Sequence, residues 1–122
     1  MAAEKRTDNR IDSELALRVL RTVSIIESFL FFTDVGQYTG EFASCLAVFL
    51  EKLERAPLKS IEFHFKRGDF ERWIKETLGD EHLAEKIREI DRSIQGEELR
   101  TTIQTTVKSR LDQLRIAAAN KT

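Results

Sequence analysis

Apolar residues recur at spacings of three and four along most of this chain, the mark of helices that bury one face. Leu15, Val19, Val23, Ile26 and Leu30 form the first stripe. Asp12 or Ser13 stands where a helix needs an oxygen to accept the open N–H groups of its first turn. The end of that stripe, Ile25 to Phe32, is apolar nearly all round, which predicts burial on several sides or contact with a second chain. Asp34-Val35-Gly36 ends it. Thr39 is the next cap, and Phe42, Cys45, Leu46, Phe49, Leu50 and Leu53 predict a helix through about Arg55. Pro57 stops it, because proline restricts the preceding residue to extended conformations.

The segment 60–66 carries two patterns. Ile61, Phe63 and Phe65 alternate at period two, as in a strand, whereas Leu58, Ile61 and Phe65 fit one face of a short helix. The helix is the favoured reading, because a lone strand there would have to pair with the aromatic end of the first helix or with the same strand of a second subunit. Asp69 then predicts the cap of a helix with Phe70, Trp73, Ile74 and Leu78 on one face. Gly79 supplies a left-handed terminator and Asp80 caps the following helix. Leu83, Ile87, Ile90 and Ile94 line that helix up to Gln95-Gly96. The last helix starts near Glu97 and carries Leu99, Ile103, Val107, Leu111 and Leu114. The expected fold is therefore all-α, a single domain of five or six helices over residues 11–119, with room for one short extended segment at 60–66. Residues 1–10 read as a flexible tail and 120–122 as a frayed end.

Composition adds exclusions. A chain of 122 residues with 41% hydrophobic and 34% charged positions is large enough for one core without staples. The net charge of −1 provides no global attraction to nucleic acid or to an anionic membrane. Cys45 is the single cysteine, so an internal disulfide or a thiolate metal cluster is excluded. Its apolar neighbours predict a buried, inert thiol on a helix face. The charged start and the lack of any apolar run near the ~20 residues of a membrane span predict a cytoplasmic protein with no membrane role of its own.

Catalytic templates are missing. There is no Gly-rich phosphate loop, no G-x-S-x-G and no H-E-x-x-H. Two histidines cannot build a three-histidine zinc site, so no metal or cofactor is expected. Carboxylates such as Glu85 and Glu89 sit at helical spacing among basic residues, as ordinary surface neighbours do. These features favour a non-enzymatic chain.

The informative stretch runs from Phe63 to Ala84. Its pattern, His64-x-x-x-Gly68-Asp69-Phe70-x-x-Trp73-Ile74 followed by Leu78-Gly79-Asp80-x-x-Leu83-Ala84, resembles a family of unknown function, number 5752. Phe31-Phe32-Thr33-Asp34-Val35-Gly36, Thr39-Gly40 and Ser60 to His64 fit the same family. The resemblance covers about residues 29–90, leaving the first and last helices outside, and it implies no particular activity.

Most of that motif has a structural explanation as caps, a terminator and core. His64 is the residue that structure explains least, set between two phenylalanines near Arg67 and Asp69. It is either a structural histidine donating to Asp69 or to a carbonyl, or part of a small-ligand pocket made by His64, Arg67, Asp69 and Trp73. Basic residues of the last helix, Arg100, Lys108, Arg110 and Arg115, offer a candidate contact to nucleic acid or the ribosome, against a plain bundle helix or dimer seam. The leading functional expectation is a protein-interaction or regulatory module acting as a homodimer. It draws on the apolar surface of Ile25–Phe32 and of Ile103–Leu114, and its other protein partner is not identified by sequence. The alternatives are a ribosome- or RNA-associated factor and a ligand sensor or enzyme centred on His64.

Overall fold

A computed structural model describes residues 11–120 of the chain. The expected tail at 1–10 and the last two residues lie outside that range. Six α-helices and one two-stranded antiparallel hairpin make up the described residues, so the fold is mostly helical and not purely α.

Helix α1, Ser13–Leu20, is capped by the Asp12 carboxylate, which accepts from the Glu14 N–H at 3.3 Å. It ends well before the predicted stripe does. Arg21 turns extended, and its guanidinium donates to the Thr77 and Leu78 carbonyls at 2.8 and 3.3 Å, tying the end of α1 to a distant turn. After a short 3₁₀ turn at Ile25–Glu27 the chain enters strand β1, Phe29–Asp34, and returns as β2, Gln37–Ala43. The predicted helix over Ile25–Leu30 and the predicted cap at Thr39 are thus corrected to a hairpin. Its turn is the two residues Val35-Gly36, with Gly36 at φ +74°. Aromatic side chains suit a pleated, half-buried surface better than a helix. Phe29 and Phe31 point into the core, while Leu30 and Phe32 point away from it. Between the pairs Leu30–Phe42 and Phe32–Tyr38, β2 spends four residue steps where β1 spends two, and Gly40 at φ +90° accommodates the bulge.

Helix α2, Leu46–Arg55, starts four residues later than the stripe from Phe42 predicts. Cys45 is the extended residue before it, half-buried, and does not lie on the helix's apolar face. The favoured helical reading of 60–66 agrees with helix α3, Leu58–Arg67, which follows Pro57 directly and ends at Gly68, φ +75°. Ile61 and Phe65 face the core. Helix α4, Asp69–Trp73, widens into a π turn at Ile74–Leu78 that Gly79 closes at φ +89°. Asp69 is the first residue of α4 and caps nothing, because Gly68 holds the cap position. Asp80 does cap helix α5, Glu81–Arg88, by accepting the Leu83 N–H at 3.1 Å. Helix α5 stops at Arg88, short of the predicted Gln95.

Helix α6, Gly96–Ala119, is the spine, packed against α1, α2, α3 and α5. Leu99, Ile103, Val107, Leu111 and Leu114 are buried by those partners, so the apolar stripe assigned to a dimer seam is filled from within the chain. Thr102 and Thr106 donate their hydroxyls to the carbonyls of Glu98 and Thr102, four residues back, which accounts for β-branched polar residues inside the helix. The hairpin lies on α3 through β1 and on α2 through β2. Phe29 is the hub of the core there, with the rings of Phe31, Phe49, His64, Phe70 and Trp73 at 4.8–5.7 Å. No helix among the described residues is long and apolar enough to cross a membrane.

Candidate functional site

Helix α3 carries His64 inward, and the left-handed turn at Gly68 folds α4 back so that Asp69 meets it. His64 is only 3% exposed. Its Nδ1 lies 2.7 Å from Asp69 Oδ2, and its Nε2 lies 2.8 Å from the Phe32 backbone nitrogen. A backbone amide can only donate, so Nε2 is the acceptor, the ring proton is on Nδ1, and Nδ1–H donates to Asp69. Burial lowers the His64 pKa below its ordinary value, only partly opposed by the Asp69 carboxylate, while the Arg67 charge lowers it further.

Asp69 is shared. Its Oδ2 also sits 3.2 Å from Arg67 Nε, and its Oδ1 pairs with Arg72. Arg67 lies over the Phe63 ring at 5.0 Å. Two half-exposed guanidiniums and one neutral imidazole thus surround one mostly buried carboxylate. Trp73, one turn on, is core on most sides and donates Nε1–H to the Glu27 carbonyl at 2.8 Å.

His64, Arg67, Asp69 and Trp73 line one open cleft of about 410 Å³ between β1 and the α3–α4 corner. Leu30, Phe32 and Phe63 give it apolar walls, and Asp34, Arg72 and Glu76 also reach it. Its volume falls in the range of small-molecule sites. The His–Asp geometry is that of a dyad, but the nitrogen that would take a proton is spent on the Phe32 amide. Among the described residues no three His, Cys, Asp or Glu side chains converge as a metal would require.

The four cations of the last helix do not form one surface. Arg110 is 8% exposed and grips Asp80, itself 1% exposed, through two bonds of 2.8 and 2.9 Å. Arg100 donates to the Leu53 and Glu54 carbonyls, closing the end of α2. Lys108, paired with Asp112 at 3.4 Å, and Arg115 remain on the exterior.

Sequence reasoning missed three features. Arg72 was available from its spacing of three from Asp69 on a helix. The Phe32 amide had no sequence signal, since a backbone group far along the chain supplies it. The third is the hairpin's outer face, where Leu30, Tyr38 and Phe42 are 41%, 46% and 37% exposed and Ile25, Ile26 and Val35 are open to solvent close by in sequence.

A model of the family of unknown function DUF5752 matches residues 26–122, and the chain belongs to that family. The match includes the whole of α6, which the motif-based resemblance had left outside. No curated protein and no solved structure matches the chain.

Proposed function

We propose that this protein is a non-enzymatic, cytoplasmic interaction module that binds a second copy of itself through the outer face of the hairpin. The observation that carries this reading is the face itself. The cross-strand pairs Leu30–Phe42 and Phe32–Tyr38 bring large apolar side chains to the outer side of the hairpin, where Leu30, Tyr38 and Phe42 are each more than a third exposed. Scattered exposed apolar residues are ordinary, but a contiguous set on a two-stranded sheet marks a surface that gains by being covered. The exposed Leu30, Tyr38 and Phe42 carry no charge that would select a foreign partner. Such a face is compatible with an identical face turned over by a two-fold axis, the commonest homo-oligomeric arrangement. Gly40, between Tyr38 and Phe42 on β2, has open space where a Cβ would stand, so no side chain at that position stands in a partner's way. The spent Nε2 of His64 supports the non-enzymatic part.

Sedimentation equilibrium tests it. The full chain should run at about twice its monomer mass at micromolar concentration. Leu30→Lys and Phe42→Lys should each weaken association at least tenfold, about 1.4 kcal/mol, with the far-ultraviolet spectrum unchanged. A wild-type chain that stays monomeric at the highest soluble concentration would overturn the reading.

The cleft favours a second reading, a site for a small polar ligand with an anionic group between Arg67 and Arg72 and an apolar part on Phe63. Trp73 is the only tryptophan of the chain and lines the cleft, so its fluorescence reports occupancy directly. Titration with benzoate and phenyl phosphate should shift that emission in the wild type and not in Arg67→Gln/Arg72→Gln. An unchanged spectrum with both probes would remove this reading.

A further inference from the structure

The two partners of His64 sit on different elements. Asp69 belongs to α4, and the Phe32 amide belongs to β1, the strand that forms half of the proposed docking face. The imidazole is therefore a polar bolt between hairpin and helices, and it works in one protonation state only. With a proton on each nitrogen, Nε2–H would stand against the Phe32 N–H. Two donors would face each other at 2.8 Å, and the strand amide would lose its acceptor.

We propose that His64 is a protonation-controlled latch, pinning β1 to α3 when neutral and releasing the Phe32 amide and the strand when charged. The charged groups around it oppose one another. Asp69 on α4 attracts the second proton, and Arg67 on α3 repels it. Arg72 on α4 engages the same carboxylate, while Asp34 of β1 and Glu76 of the π turn line the adjoining cleft. The rings of Phe29 and Phe31 on β1, Phe63 on α3 and Phe70 on α4, all within 6.2 Å of the imidazole, exclude the water that a cation would need.

The sign follows from linkage. The folded-state pKa lies below the ordinary value of 6.5, so on acidification the unfolded chain takes up its proton first. The contribution of His64 to stability is complete above about pH 6.5 and is lost as the pH falls toward the folded value. For the docking face, which this consequence takes from the proposed function, acidification should loosen β1 and weaken self-association.

The test is amide hydrogen exchange on the full chain, followed by nuclear magnetic resonance together with the ring nitrogen shifts of His64. Protection factors correct for the intrinsic pH dependence of exchange. At neutral pH the ring should show the Nδ1–H tautomer. As it protonates, protection at Phe32 should fall at least tenfold while Ile103 on α6 keeps its own. His64→Gln, whose side-chain carbonyl accepts from Phe32 without titrating, should flatten the acid response. Asp69→Asn should move the transition to lower pH, and it carries the test if the Gln variant does not fold. Phe32 protection that ignores the charge on His64 would overturn the latch. So would a His64→Gln chain with the wild-type acid response. Sedimentation of the same samples separates the two ideas. A latch that titrates in a monomer contradicts the docking face alone, and a dimer with pH-independent Phe32 protection contradicts the latch alone.

Discussion

Replacing Arg110 with alanine should destabilise the fold by about 3–5 kcal/mol, the usual consequence of removing one partner from a buried ion pair. Asp80 would remain at 1% exposure with both oxygens stripped of the guanidinium. The carboxylate also caps α5 through the Leu83 N–H, so it cannot turn away without opening that helix. Adding Asp80→Ser to Arg110→Met should recover much of the loss, because serine can still cap while methionine fills the volume of the arginine stem. Urea unfolding of the single and double variants reads this out as midpoint shifts at constant slope. A single-variant loss below about 1 kcal/mol, the level of a surface pair, would mean that the carboxylate is hydrated.

Trp73→Ala should cost about 3–5 kcal/mol, as for a large aromatic removed from a core. Its ring meets Phe29 and Phe49 at 5.7 and 5.3 Å, and its Nε1–H satisfies the Glu27 carbonyl of the 3₁₀ turn that leads into β1. Trp73→Phe separates the two contributions. It keeps most of the packing and loses the hydrogen bond, for about 1 kcal/mol. Circular dichroism melts are the readout, since the variants lack the fluorophore. A Trp73→Ala midpoint close to wild type would make this ring a surface residue and a binding candidate.

The helices were legible where one face is apolar and the other charged. Helix α6 is the clearest case, with Leu99 to Leu114 inward and Glu97, Thr101, Lys108 and Asp112 outward. The hairpin was hidden by the same property that makes it interesting. A strand shows period two only if its outer residues are polar, and in Phe29-Leu30-Phe31-Phe32 both faces are apolar. An exposed apolar face therefore erased the alternation and imitated the wall of a buried helix. The stripe from Phe42 through Leu46 to Phe49 misled in another way. Its spacing of four and three continues across the junction between β2 and α2, so nothing marked the break. At the candidate site, Asp69 as a partner of His64 follows from a five-residue separation across a glycine turn, one of the alternatives the sequence left open. The role of Phe32 and the burial of Arg110 depend on which elements meet, and local sequence carries no record of that. Arg110 reads as a surface cation until Asp80 is placed opposite it.

In the proposed dimer the hairpin, and not the last helix, meets the second copy. Isotope-filtered nuclear Overhauser spectra on an equal mixture of labelled and unlabelled chains test it directly. Intermolecular contacts are expected from the side chains of Leu30, Tyr38 and Phe42. Contacts confined to the outer residues of α6, such as Lys108 and Ile116, or no intermolecular contacts at all, would contradict it.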